Sequence, residues 1–357
     1  MTNVADIPTP SLRPHRLATA LVCATFPLIW IGGLVTSSQA GMAVPDWPNT
    51  FGYNMFLYPW TTWYYGAWDI YIEHGHRLFA AAVGMLTIGL CYALYRYESR
   101  AWLRRLGYFA LGFVIFQGVL GGLRVVLAKQ TLAMIHGCVG PLFFSLAVAL
   151  WHFTDRKTSA AANLDPSKTP PEVSKLFRLA LVTTLLAYVQ LVLGAAVRHV
   201  PHMAEIVRPE LFRIVMLLHL FMAGVLTLHV VSVAVRGMRV NVWPELPSLR
   251  RPALLLSIAI VVQLALGAAT WVVNYGYPQW AQLHVHAPAF VVPAQTNLQA
   301  DITTAHVAVG SLILVTSLVV TLRARVLCGS SPAVRGRVGA SSAAVLMGGA
   351  LLRGATA

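Results

Sequence analysis

The 357-residue chain is 57% hydrophobic and only 11% charged, with a mean hydropathy of +0.67. A soluble protein of this length would carry about a quarter charged residues, and charge-free stretches such as Leu106 to Leu123 and Leu179 to Val197 have the length a membrane helix needs. The formal charge of +14 is segregated along the chain in a way that points to membrane topology and anionic lipid, not to nucleic acid.

The apolar runs predict eight spans, the first at 17–36 after a short N-terminal segment, 1–16. That first run is long and no persuasive cleavage site follows it, so it reads as a span and not as a signal peptide. It ends in Ile31-Gly-Gly-Leu34. The connection 37–70 has no Lys or Arg and is rich in Trp, Tyr, Pro and Asn, as in Ala43 to Pro48. Such aromatics settle at headgroup level, so this loop is expected to lie against the membrane as a lid. The second span, 71–95, opens on Glu73-His74-Gly75-His76-Arg77, and the third, 104–126, carries Gln117-Gly-Val-Leu-Gly121 near its end. His136 falls early in the fourth span, 131–153. Residues 154–176, rich in Asp, Lys, Ser, Pro and Asn, read as a flexible cytoplasmic linker.

The second half follows the same plan. Span 177–197 carries Gln190-Leu-Val-Leu-Gly194, span 211–235 carries His219, span 252–273 carries Gln263-Leu-Ala-Leu-Gly267, and span 300–322 carries His306. Between the last two lies a second connection without Lys or Arg, 274–299. The three Gln-x-x-x-Gly elements recur at a spacing of 73 residues, with Ile31-Gly-Gly-Leu34 as a degenerate first copy. The repeating unit is an odd helix, an outer loop and an even, histidine-bearing helix, and the glycines would let neighbouring helices approach closely. The tail, 323–357, contains one apolar stretch, Ala343 to Leu352, too short to span.

The expected fold is therefore an all-α membrane protein with eight transmembrane helices in two pseudo-symmetric four-helix bundles, 17–153 and 177–322. Twenty Lys and Arg residues fall on the side of the termini and five on the other, which places both termini in the cytoplasm. Cys23, Cys91 and Cys138 lie within spans and Cys328 on the cytoplasmic side, so no structural disulfide is expected.

His76, His136, His219 and His306 each fall shortly after the start of an even-numbered span, at one shared depth. A histidine in hydrocarbon is costly. Taken alone, any one of them reads equally well as a hydrogen-bonded core residue or part of a proton path. The fourfold positional match favours ligation, and two opposed pairs of imidazoles are what two low-spin haems require. Zinc would want a closed cluster of ligands, and copper would bring Met or Cys close by. His229 lies deeper, without a counterpart, and reads as structural. His199, His202, His284 and His286 fall in outer loops, the last two within possible reach of a porphyrin edge. His15 and His152 sit near the cytoplasmic interface and carry no signal.

Glu73, His76 and Arg77 share one helical face. For Glu73 three readings stand: an i,i+4 ion pair with Arg77, plain interfacial solvation, or proton handling beside a reactive haem substituent with its pKa tuned by burial and by Arg77. Arg77 is alternatively a partner for a haem propionate.

The chain resembles the haem A synthase family of cytochrome oxidase assembly proteins. The resemblance rests on Gly32-Gly-Leu34 leading to Val44-Pro-Asp-Trp47, on Glu73-His-Gly-His-Arg77, on Gln117 to Arg124 followed by His136-Gly-Cys-Val-Gly-Pro141, and on Leu218-His219-Leu220 and Thr304-Ala-His306. It covers residues 15–325. It implies oxidation of the C8 methyl of haem O to a formyl group in two monooxygenation-like steps, giving haem A for cytochrome c oxidase. It further implies a haem b cofactor on His219 and His306, substrate haem O on His76 and His136, and Glu73 as the essential acidic residue. The implied partners are the haem O synthase that supplies the substrate, an electron donor, and the oxidase assembly machinery. The implied location is the cytoplasmic membrane, with the haem sites toward its outer face. One departure stands out: many bacterial members carry a cysteine pair in the first outer loop, and residues 37–70 contain none. A thiol-based redox step in that loop is therefore not open to this chain.

Two other classes use the same histidines. A diheme b-type electron-transfer cytochrome would tolerate Glu73→Ala, whereas a synthase would bind haem and lose conversion. A haem carrier or assembly protein would need no redox partner. A transporter is weaker still, for want of a broken-helix signature in matching halves.

Overall fold

The computed structural model describes residues 11–161, 171–203, 209–240, 248–277 and 296–328. Its elements are α1 (Arg13–Ser37), α2 (Trp60–Tyr64), α3 (Trp68–Tyr97), α4 (Ala101–Val126), α5 (Gln130–Thr154), α6 (Arg156–Ala161), α7 (Pro171–Met203), α8 (Pro209–Arg239), α9 (Arg250–Tyr275) and α10 (Asn297–Leu327). Eight of them, all but α2 and α6, are long and apolar enough to cross a membrane, as the hydropathy pattern predicted. Local sequence explains several ends. Pro14 opens α1, where a missing N–H costs nothing. Thr296 caps α10 by accepting the Gln299 N–H at 3.3 Å. Gly276, at φ +79°, ends α9 in a conformation that side chains disfavour.

The helices outrun the apolar spans, because hydropathy marks only the stretch that hydrocarbon requires and the backbone ladder continues beyond it. This changes three sequence expectations. His199 is not in a loop but in the last turns of α7. The 154–176 linker contains α6 and the first turns of α7, so it is partly helical. The segment taken as tail from residue 323 begins as the continuation of α10, to Leu327. In the first outer connection, residues 60–64 form α2.

Two cores build the molecule. Leu21, Val83, Leu90, Leu94, Leu103, Phe143 and Leu150 join α1, α3, α4 and α5. Leu176, Val230, Val233, Leu256, Ile313 and Val320 join α7, α8, α9 and α10. A third cluster, with Phe144 and Val148 of α5, Val315 of α10 and Phe26 of α1, ties the halves along a seam. Large apolar side chains such as Leu185, Phe221, Leu228 and Val261 face outward, as helices bathed in lipid require. With lipid as apolar as leucine, helix association relies on close packing at small residues. Gly237 is an example: a methyl there would stand 2.9 Å from Ala253 Cβ.

Candidate paired-histidine centre

One cavity of about 1880 Å³ runs across both halves, and all four predicted histidines line it. It exceeds the roughly 300–1,000 Å³ of an ordinary small-molecule site, so it has room for more than one large ligand. Its walls come from α1, α3, α4 and α5 on one side and α7, α8, α9 and α10 on the other.

Each histidine ring is set against a glycine of the spanning helix that precedes it, on α1, α4, α7 or α9. A β-carbon built on Gly32 would stand 2.9 Å from Cε1 of His76; on Gly121, 3.0 Å from that of His136; on Gly194, 3.1 Å from that of His219; and on Gly267, 3.1 Å from that of His306. The repeat glycines are thus ring cradles, which is more specific than the close helix approach expected from sequence. The reverse holds at the glutamines. Gln117 Nε2 donates to the His136 carbonyl at 3.4 Å and Gln190 Nε2 to the His219 carbonyl at 3.0 Å. Gln117 and Gln263 each reach over a glycine four residues beyond their histidine, Gly140 and Gly310.

The His219 and His306 ring centroids lie 6.5 Å apart with their planes at 75°. With metal–imidazole bonds of about 2 Å, two rings on opposite sides of one metal have centroids roughly 6.3 Å apart, so the gap suits a single ion held from both faces. His76 and His136 lie within electrostatic reach of one another and of Arg124. The Nδ1 atoms of His76, His136 and His306 are buried without a hydrogen-bond partner. No three His, Cys, Asp or Glu side chains converge to a metal cage among the described residues, so any metal here is held by histidine pairs and needs other donors from its own ligand.

Glu73 and Arg77 form a buried ion pair at 2.8 Å, and both also fasten the first outer loop. Glu73 Oε2 accepts the Val44 N–H at 2.9 Å. Arg77 spends all four Nη hydrogens: on the carbonyls of Asp46 (2.6 Å), Asn49 (3.1 Å) and Val44 (2.7 Å), and on Glu73 Oε1 (2.8 Å). The Trp47 ring lies on Gly122, where any side chain would collide with it. Asp46 closes the turn beneath by accepting the N–H groups of Phe51 and Gly52, both at 2.8 Å, at two positive-φ residues. Burial pushes the Asp46 carboxyl up, but those two bonds and Arg77 outweigh it, and the net shift is downward. The loop is therefore fastened to α3 through Glu73 and Arg77 and to α4 through Trp47 on Gly122. Arg77 is its rivet, with its four Nη hydrogens engaged by the loop and by Glu73. Glu73 lines the cavity while both its oxygens are engaged.

Two cations missed by sequence reasoning line the cavity instead. Arg124, three residues after Gly121, donates to the Gly41 carbonyl at 3.3 Å. Arg198, four after Gly194, donates to Ser37 Oγ at 2.7 Å and approaches the Gly33 carbonyl at 3.5 Å; Ser37 in turn meets Thr304 Oγ1 at 2.9 Å. Neither pairs with a carboxylate among the described residues. Their positions three and four residues after a cradle glycine were the available signal, and the topology count obscured it.

Of the other described histidines, His199 lines the cavity, whereas His15, His74, His152 and His229 do not. His74 meets Thr50 at 3.1 Å and stacks near Tyr58 and Trp63. His15 meets Thr154 and Trp151. His229 is on α8 with its Nδ1 buried. The side chains of His202, His284 and His286, and with them most of the 274–299 connection, lie outside the described residues. All four cysteines are free.

Fold and site together define an eight-helix membrane protein built around paired intramembrane histidines. Its residues 66–296 match the COX15-CtaA family model, described as cytochrome oxidase assembly protein. The chain belongs to that family. It is 30% identical over 196 residues to the heme A synthase of Symbiobacterium thermophilum, covering 53% of this chain and 60% of that protein. It is 31% identical over 173 residues to the heme A synthase of Shouchella clausii, covering 47% of this chain and 53% of that protein. The matched stretch thus spans between half and two thirds of each relative.

Proposed function

We propose that this protein is a haem A synthase, oxidising the C8 methyl of haem O to a formyl group. The observation that carries this reading is the His219–His306 gap of 6.5 Å, together with the same glycine cradle behind all four rings. A planar macrocycle supplies four further donors to an ion that the protein holds from above and below, which fits paired rather than clustered histidines. His219 and His306 hold a resident haem b; His76 and His136 hold the substrate. When bound, haem b supplies one-electron chemistry.

The chain's own groups orient and neutralise. Arg124 and Arg198 meet the carboxylates of the porphyrins, since a buried guanidinium without an anion is costly and bidentate pairing relieves it. The riveted loop excludes water over the N-terminal pair. Glu73, at the edge of that pair, accepts a proton at a carboxylate oxygen as the methyl carbon is oxidised, exchanging one of its loop bonds to do so. The twenty-to-five distribution of Lys and Arg supports cytoplasmic termini and an outward-facing cavity in the cytoplasmic membrane. A haem O synthase upstream, an electron donor and the oxidase assembly machinery complete the proposed setting.

A second reading, a diheme electron-transfer cytochrome, is favoured by one observation: both Glu73 oxygens are already used to fasten the loop. Expression with a haem O source, pigment extraction and chromatography with mass detection separates the two. Haem A or its hydroxylated precursor supports the synthase; unchanged haem O and haem b throughout would refute it.

A further inference from the structure

The face that α4 turns to α3 is filled at both ends and open in the middle. Gly107, Gly118 and Gly122 share that face, since eleven residues leave a helix rotated by only about 20° and four by about 40°. At the inner end the two helices pack tightly: a β-carbon on Gly107 would stand 2.6 Å from Leu94 Cδ1. At the outer end the Trp47 ring covers Gly122. Gly118 lies between, roughly 16 Å from the first and 6 Å from the second. It lines the cavity and is exposed, and a β-carbon there would meet nothing within 4 Å. Of the glycines on α3 and α4 it alone lines the cavity with open space beside it. It neither cradles a ring nor seats a neighbouring helix.

The opposite edge is equally spare. α3 runs antiparallel to α4 through the short turn 98–100, so counting back from Leu94 brings Ala80 to Gly84 level with Gly118. Ala80 and Ala81 line the cavity, and a β-carbon on Gly84 would also meet nothing within 4 Å. Outside this gap Met85, Ile115 and Val119 are exposed apolar chains of the kind that face lipid. Inside it, Gln117 Oε1, next along the chain, and His76 Nδ1, one turn from Ala80, are buried without hydrogen-bond partners. An apolar passage thus leads from the paired-histidine interior to hydrocarbon. In the 73-residue repeat the position of Gly118 is taken by Leu191 on α7 and Leu264 on α9, both lining the cavity. The C-terminal half therefore carries an isobutyl group where the N-terminal half has none.

Haem O bears a long isoprenoid chain where haem b bears a vinyl group. Such a chain gains free energy with every methylene kept from water, and it needs a way out of a cavity shaped for a flat macrocycle. We propose that Gly118 and Leu264 sort the two porphyrins: the passage at Gly118 leads the isoprenoid chain of haem O from the N-terminal half into lipid, and Leu264 denies that path in the C-terminal half, which keeps haem b. This rests on the paired histidines holding haem O and haem b.

The test loads full-length purified protein with equal amounts of haem O and haem b. The haems retained per chain are read by extraction, chromatography and mass detection, together with the low-spin resonances. The unaltered protein should keep one of each. Gly118→Leu should weaken retention of haem O about tenfold or more and keep haem b in both halves, because only the chain-bearing porphyrin uses the passage. Gly118→Ala should fall between, and Leu264→Gly should admit haem O to the C-terminal half. Low-spin haem b reports an intact fold in each variant. Undiminished haem O in Gly118→Leu would overturn the proposal, as would equal loss of haem O and haem b from the N-terminal half, the mark of a packing defect. Loss of co-purified phospholipid at an unaltered ratio of the two haems would assign the passage to a lipid acyl chain and overturn it as well. Protein that sorts the haems as expected yet forms no haem A would refute the catalytic reading and uphold the sorting; protein that binds neither haem would refute both.

Discussion

Gly267→Ala adds one methyl group where the structure leaves room for none. The new carbon would sit 3.1 Å from His306 Cε1 and 3.7 Å from its Nδ1. Carbon pairs prefer about 3.5–4.0 Å, so the ring must retreat by about 0.4 Å or α9 and α10 must separate. That shift is about twice the ±0.2 Å within which metal–ligand distances are ordinarily held. Overpacking of this kind costs about 1–3 kcal/mol, which corresponds to about fivefold to 150-fold weaker haem retention on the His219–His306 side. The assay is haem content per chain after detergent washing, with the low-spin resonance of the C-terminal site as a second readout. Gly112→Ala and Gly224→Ala, where an added methyl meets nothing within 4 Å, are the controls and should retain haem fully. If Gly267→Ala keeps its haem and an unaltered low-spin spectrum, the cradle plays no part in holding the ring and the reasoning fails.

Four further outcomes follow from the same geometry. Glu73→Gln should keep haem bound and lose conversion by about a hundredfold or more, the scale of one general acid–base group; conversion at the unaltered rate would reduce Glu73 to a loop fastener. Arg77→Ala breaks a buried pair and releases three loop carbonyls, a loss of about 3–5 kcal/mol, and limited proteolysis should then cut within residues 38–59. The Asp46 carboxyl is held below its ordinary value by Gly52, Phe51 and Arg77 against the opposing effect of burial. Its contribution to loop order is therefore complete above the unfolded value, about 3.9, and is lost as pH falls through the lower folded value; Trp fluorescence during acid titration should show the loop loosening there, and Asp46→Ala should abolish that transition. Arg198→Leu removes a buried cation without a carboxylate partner among the described residues and should lower the midpoint potential of a bound haem, whereas Arg198→Lys should recover most of it; identical potentials in all three proteins would show that no porphyrin carboxylate lies there.

The spans, the aromatic outer loop and the four cavity-lining histidines were legible because each leaves a one-dimensional trace. Apolar length marks a helix, missing Lys and Arg with abundant aromatics marks the outer loop, and a 73-residue period marks the histidine-bearing units. The glycine's role was half legible. Its recurrence announced close approach, but only three dimensions show that a ring, and not a helix backbone, fills the space. The loop contacts of Arg77 were not legible, because sequence proximity to His76 says nothing about the carbonyls of a loop some thirty residues earlier that take its Nη hydrogens. Arg124 and Arg198 were hidden for a related reason: at a helix end, a charge counted for topology and a charge aimed into a cavity look the same in sequence. The helical state of His199 and of residues 156–161 escaped because hydropathy stops reporting where the hydrocarbon stops.

The most direct measurement is the haem stoichiometry of purified protein, with its low-spin spectrum, in histidine substitutions taken pair by pair. Loss of one haem from His306→Ala, loss of the other from His136→Ala, and loss of both from the combined protein are the results this account predicts. Haem content and spectra unchanged when all four histidines are replaced would contradict it.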